Sequence, residues 1–124
     1  MINSDSNFGE VIYSYSRKQA LEDGVLVDLS QWKVARDHWK LPLACTSAVF
    51  SIIEQAVNAE GCDYPGIIHD LSWVAKLAIG KSNSNGPEVY FPCTVGNRTM
   101  NFKLVCGAGD DPMPVLTLML SSES

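Results

Sequence analysis

From Thr46 onward apolar residues arrive in pairs every four positions, Ala48/Val49, Ile52/Ile53 and Ala56/Val57, and the run stops at Gly61. Side chains at that spacing share one face of an α-helix, so the pattern predicts an amphipathic helix over 46–61. Ile67/Ile68, Leu71, Val74/Ala75 and Ala78/Ile79 repeat the stripe between Pro65, which suits a first helical position, and Gly80, which suits a stop. The two helices are expected to form an antiparallel pair.

The turn-rich stretch from Gly80 to Pro87 ends the helical pattern, and strict alternation takes over. Val89, Phe91, Cys93 and Val95 share one face of a strand, and Met100, Phe102, Leu104 and Cys106 share a face of the next. Gly96-Asn97 suits a two-residue hairpin loop with glycine first, which sets Val95 opposite Arg98 and Phe91 opposite Phe102. A slip by one residue would turn one apolar set into water. After the loop 107–113, Leu116, Leu118 and Leu120 are expected beside Leu104, Phe102 and Met100, with strand 99–106 in the middle of three.

Signals nearer the N-terminus are shorter. Residues 1–7 are polar and aperiodic, which predicts a frayed start, and Glu10-Val11-Ile12-Tyr13 suits a short extra strand. Ser16 and Gln19 form a capping box for a helix over 16–23 that Gly24 closes. Val25–Leu29 reads as extended or as a strand, and Ser30 then caps a segment in which Trp32, Ala35 and Trp39 recur at helical spacing until Pro42. With helices first and strands last, the fold class is α+β in a single domain over 1–124. Two long amphipathic helices and one or two short ones are expected on one face of a C-terminal three-stranded antiparallel meander.

Composition narrows the partners. A chain of 124 residues that is 46% hydrophobic can bury a core without disulfides or structural metal. Its net charge of −5 and lack of any basic tract argue against nucleic-acid binding, and its 14 acidic residues are too scattered to mimic a phosphate array. No apolar run approaches the ~20 residues that span a bilayer, so no membrane is expected. The opening Met1–Asn7 has no export-signal pattern, which predicts a cytoplasmic protein with Cys45, Cys62, Cys93 and Cys106 reduced.

Two stretches carry a family resemblance. Ile12-Tyr13-Ser14-Tyr15, Arg17, Gln19-Ala20, Asp23-Gly24, Leu26 and Asp28 fit an opening of the type IYSYxRxQAxxDGxLxD. Gly107, Gly109-Asp110-Asp111, Pro114-Val115, Thr117 and Met119-Leu120 fit a closing of the type GxGDDxxPVxTxML, and Asp70 and Trp73 match a helix with those residues three apart. The chain thereby resembles an uncharacterised family of small bacterial proteins, a domain of unknown function carried on plasmids, phages and other mobile elements. The resemblance implies that setting and attaches no activity.

Several residues are candidates for chemistry. The loop 107–111 reads as a hairpin turn, or as a backbone nest or carboxylate pair for a cation. Helix 16–23 carries Arg17 and Lys18 at its positive end and Glu22 and Asp23 at its negative end, an unfavourable order that calls for tertiary partners. A pair from Arg17 to Asp110 or Asp111 would pin the two motifs together, either as an architectural clamp or, with Asp23 and Asp28, as an acidic site. His38 and His69 have no partner at metal-ligand spacing and the cysteines match no zinc pattern, so no metal and no cofactor are expected. Cys93 and Cys106 are expected to point inward, and no nucleophile signature supports a Cys62/His69 pair.

One feature points to a partner. Trp73 and Leu77 fall on the far side of their helix from the stripe centred on Leu71. Either Trp32 and Trp39 cover them or they form a dimer or partner interface. The outer sheet face around Tyr90, Val105 and Met119 is a second candidate surface. The favoured function is a non-enzymatic accessory protein of a mobile genetic element that binds protein, as a homo-oligomer or with another chain. The rival is a small enzyme or ligand-binding protein with its site among Arg17, Asp23, Asp28, Asp110 and Asp111, and a third reading is an inhibitor of host defence. Catalysis at that junction requires that the Arg17 guanidinium leave it open.

Overall fold

The computed structural model describes residues 16–81, 86–110 and 112–123. The segment 1–7, the strand expected at 10–13 and Asp111 lie outside them. Helix α1 (Arg17–Glu22) begins as a capping box: the Gln19 amide donates to Ser16 Oγ at 3.0 Å and the Ser16 amide donates back to Gln19 Oε1 at 3.2 Å. Gly24, at φ +79°, turns the chain into strand β1 (Leu26–Asp28). A 3-10 turn (Leu29–Gln31) and helix α2 (Lys33–His38) follow. Ser30 is not the cap of this segment. Asp28, two residues earlier, accepts the Ser30 amide at 2.9 Å, while the Ser30 hydroxyl accepts the Leu43 amide at 2.9 Å.

Strand β2 (Leu43–Thr46) leads directly into helix α3 (Ser47–Glu60), capped by Thr46 and stopped by left-handed Gly61, and helix α4 (Tyr64–Lys81) completes the pair. Strands β3 (Glu88–Val95), β4 (Arg98–Ala108) and β5 (Pro114–Leu120) close the chain.

The sheet overturns the expected three-stranded antiparallel meander. It has five strands in the order β1-β2-β5-β4-β3, with β1 antiparallel to β2 and β2 parallel to β5. Strand β5, expected at an edge, is therefore central. The missed strand is Leu43-Ala44-Cys45-Thr46, all four residues of which are buried. A strand covered on both sides shows no alternation and reads as a plain apolar run, and this one is also short and abuts a helix cap.

The hairpin pairs as the alternation requires, Val95 with Arg98 and Phe91 with Phe102. The β4/β5 pairing is displaced by two residues: Leu116, Leu118 and Leu120 oppose Cys106, Leu104 and Phe102. Strand β4 runs on to Ala108, so the connecting loop is shorter than expected, and a two-residue shift keeps every leucine on its face. Cys106 shares that face yet is exposed, as are Gly107 and Ala108, because this end of the sheet extends past the helices; the inward placement expected for it is corrected.

The core lies between the helix pair and the sheet. Val49, Ile53, Ile68 and Leu71 pack against Phe91, Phe102, Leu104 and Leu118. Helix α1 departs from the one-face arrangement. Its Arg17 reaches the hydroxyl of Thr117, which by alternation lies on the face opposite Leu116 and Leu118. Both sheet edges are blunted against strand addition, since β1 has three residues and edge strand β3 carries Pro92. No helix among the described residues is long and apolar enough to cross a membrane.

Candidate functional site

The two motifs meet, through the main chain. Asp110 Oδ1 accepts the Arg17 amide at 2.8 Å and Oδ2 accepts the Lys18 amide at 2.9 Å. These are donors that a helix N-terminus leaves without intrahelical partners, and the carboxylate also complements the dipole that Arg17 and Lys18 oppose. The Arg17 guanidinium turns elsewhere, donating from Nη1 to Thr117 Oγ1 at 2.8 Å and from Nη2 to the Leu116 carbonyl at 2.7 Å. Burial lowers its pKa, while Asp110 and then Asp28 act to raise it. A guanidinium stays charged through such opposing effects.

The guanidinium leaves the junction open: a surface pocket between α1 and the β4–β5 loop is lined by Arg17, Lys18, Leu21, Glu22, Asp110 and Val115, and neither Asp23 nor Asp28 is among its lining residues. Asp28 holds the 3-10 turn, Asp23 is exposed at the end of α1, and Asp111 is outside the described residues. Gly109 shows why the loop needs glycine: a Cβ there would lie 2.8 Å from Val115 Cγ1 and 3.2 Å from the Met113 carbonyl. Among the described residues, no group of three or more His, Cys, Asp or Glu side chains is placed to hold a metal ion. The Cys45 thiol is pushed up to about 12 by burial, with Glu123 adding to the effect, which makes it inert near neutral pH.

Sequence spacing gave no sign of the contact between the two histidines. His38 Nε2 lies 2.9 Å from His69 Nδ1, and Lys76 Nζ lies 3.3 Å from His38 Nδ1. An ammonium only donates, so His38 Nδ1 accepts, His38 Nε2–H donates to His69 Nδ1, and His69 keeps its proton on Nε2. This proton order leaves neither nitrogen of the contact free to bind a metal. Burial, then Lys76, then His69 lower the His38 pKa, with Asp37 opposing them. The pair forms because α2 lies across α4, where Trp39 Nε1 also donates to buried Ser72 Oγ at 3.0 Å. Residues 31 positions apart in separate helices leave no periodic signal.

The same crossing decides the fate of Trp73 and Leu77. Trp32 stacks on Tyr64, with ring centroids 5.2 Å apart, and Trp39 is committed to Ser72, so neither tryptophan covers the far side of α4. Trp73 is 54% exposed and Leu77 47%. The His69 ring stacks beside Trp73 at 6.3 Å, and a shallow groove next to the indole is lined by Asp70, Val74, Pro92, Thr94 and Thr99.

The outer sheet face is partly covered over β4 and β5 and open along β3, where Tyr90, Pro92 and Thr94 are exposed. Lys103 on that face is buried and donates to the Glu123 carbonyl, and Glu123 Oε2 accepts from Thr46 Oγ1 and the Leu120 amide, each at 2.8 Å. With α1 covering the Thr117 region, Tyr90 is left as the large exposed group there. No protein-family model matches the chain, and no curated protein or solved structure shows significant similarity to it.

Proposed function

We propose that this is a non-enzymatic accessory protein of a mobile genetic element that acts by binding protein, a second copy of itself included. The observation that carries the reading is the exposure of Trp73 and Leu77 side by side on α4. An indole and an isobutyl group one helical turn apart, flanked by Asp70 and Lys76, have the chemistry of an interface anchor. The junction of the two motifs keeps an open pocket, as the enzyme reading requires, but its Arg17 and Asp110 are already committed. Its guanidinium is spent on Thr117 and Leu116, and its Asp110 carboxylate on the amides of Arg17 and Lys18. The genomic setting comes from the resemblance of the two motifs to small proteins of plasmids and phages.

Sizing combined with light scattering tests the reading. The wild-type chain should return a multiple of its chain mass, and Trp73→Asp should return a single chain with an unchanged circular dichroism spectrum. A wild-type monomer, or an oligomer that Trp73→Asp leaves intact, would remove this face from the mechanism.

A further inference from the structure

The exposed face of α4 is self-complementary about Trp73. Asp70 lies three positions before the indole and Lys76 three positions after it, and both are exposed. At that spacing Asp70, Trp73, Lys76 and Leu77 share one side of the helix. When two copies of a helix cross antiparallel about a two-fold axis, the residue a given distance before the axis meets the residue the same distance after it on the other copy. Asp70 then meets Lys76 twice, His69 meets Leu77, and the two indoles meet at the centre. A parallel crossing would instead set Asp70 against Asp70 and Lys76 against Lys76, placing like charges in contact.

Resting on the self-association reading, we infer that the partner is a second copy of this chain, bound through antiparallel α4 helices with Trp73 on the two-fold axis and reciprocal Asp70–Lys76 ion pairs on either side. The surroundings suit it. Lys76 gives one of its three donors to His38 Nδ1, which leaves two for a carboxylate. The groove floored by Val74 and Pro92 beside Trp73 offers the opposing indole a place to lie. Pro92 also keeps the neighbouring strand edge from competing through main-chain pairing. The charges flank an apolar centre, the arrangement in which rim polar groups fix orientation while buried aromatic groups supply affinity.

Charge reversal tests the geometry at two exposed sites, Asp70 near Cys93 and Lys76 beside His38. Asp70→Lys and Lys76→Glu should each weaken dimerisation about tenfold or more, since each sets two like-charge contacts across the axis. Mixing the two singly substituted chains should restore a heterodimer within about threefold of wild-type affinity, because both cross-pairs are then complementary. Sedimentation equilibrium at low salt reads all of these, with circular dichroism confirming the fold. If Trp73→Asp dissociates the wild-type dimer but the mixture binds no better than either chain alone, the two-fold arrangement is wrong and the protein-binding reading survives. A wild-type chain that stays monomeric would overturn both.

Discussion

Asp110 and Arg17 are joined through the backbone: Asp110 Oδ1 accepts the Arg17 amide at 2.8 Å, while the guanidinium of the same arginine points away to Thr117. One residue thus holds two positions in the fold at once. Its amide fixes the β4–β5 loop against the start of α1, and its side chain fixes that start against the outer face of β5. The unfavourable charge order of α1 becomes intelligible, because the missing acid of its first turn is supplied from 93 residues away.

Removing that carboxylate should cost what a lost helix cap costs. Asp110→Ala is expected to lower unfolding stability by about 1–2 kcal/mol, and Asp110→Asn, which keeps one acceptor oxygen, by less. Urea titration of the three chains reads the order. A change in Asp110→Ala within the roughly 0.5 kcal/mol of plain surface substitutions would mean that the loop does not hold the helix.

How much of this was legible in the sequence depends on how many faces an element buries. Helices α3 and α4 and the β3–β4 hairpin each bury one face, so the stripe through Ile53 and Ile68 and the alternation through Phe91 and Phe102 declared both element and register. Strand β2 is buried on both, so Leu43-Ala44-Cys45-Thr46 carried no period and its parallel pairing with β5 went unseen. The capping box at Ser16 and Gln19 was readable because it closes within one turn. The meeting of the two motifs was readable only as a need for charge compensation. Spacing gave no hint that an amide rather than a guanidinium would receive the carboxylate. The His38–His69 contact depends on where α2 crosses α4, which no local pattern encodes. The helical pattern leaves Trp73 open to either cover by Trp32 and Trp39 or exposure, and the commitments of those two rings to Tyr64 and Ser72 leave it exposed.

The proton order of the histidine contact sets a direction for pH dependence. Burial, Lys76 and His69 lower the His38 pKa below its ordinary 6.5. His69 and Lys76 face it from α4, Asp37 lies on its own helix in a pair with Lys33, and the adjacent 3-10 turn Leu29–Gln31 carries no titratable side chain. The unfolded chain therefore binds a proton at a higher pH than the folded one. This contribution to stability is complete above 6.5 and is lost as pH falls from there through the folded value. Unfolding free energies measured in steps from roughly pH 7.5 down to pH 5 should decline. In His38→Gln the decline should be shallower. A ring-proton NMR midpoint for His38 above 6.5 would contradict this account.

The hairpin loop is tied to the end of α3, and the tie can be separated from the loop's own strain. Gly96 sits at φ +65°, and a Cβ there would lie 1.7 Å from Glu60 Oε1 and 3.1 Å from Ala56 Cβ. Glu60 Oε1 also accepts the Asn97 amide at 3.1 Å. Alanine at position 96 must therefore adopt a left-handed backbone, at a cost of about 1–2 kcal/mol, and push the Glu60 carboxylate off that amide, at about a further 1 kcal/mol. Glu60→Ala alone should lose the hydrogen bond only. Introducing Gly96→Ala into the Glu60→Ala chain should then cost the backbone strain alone, so the double substitution should be less destabilising than the sum of the single ones by about 1 kcal/mol. Strict additivity in a double-mutant cycle would show that the carboxylate does not hold the turn.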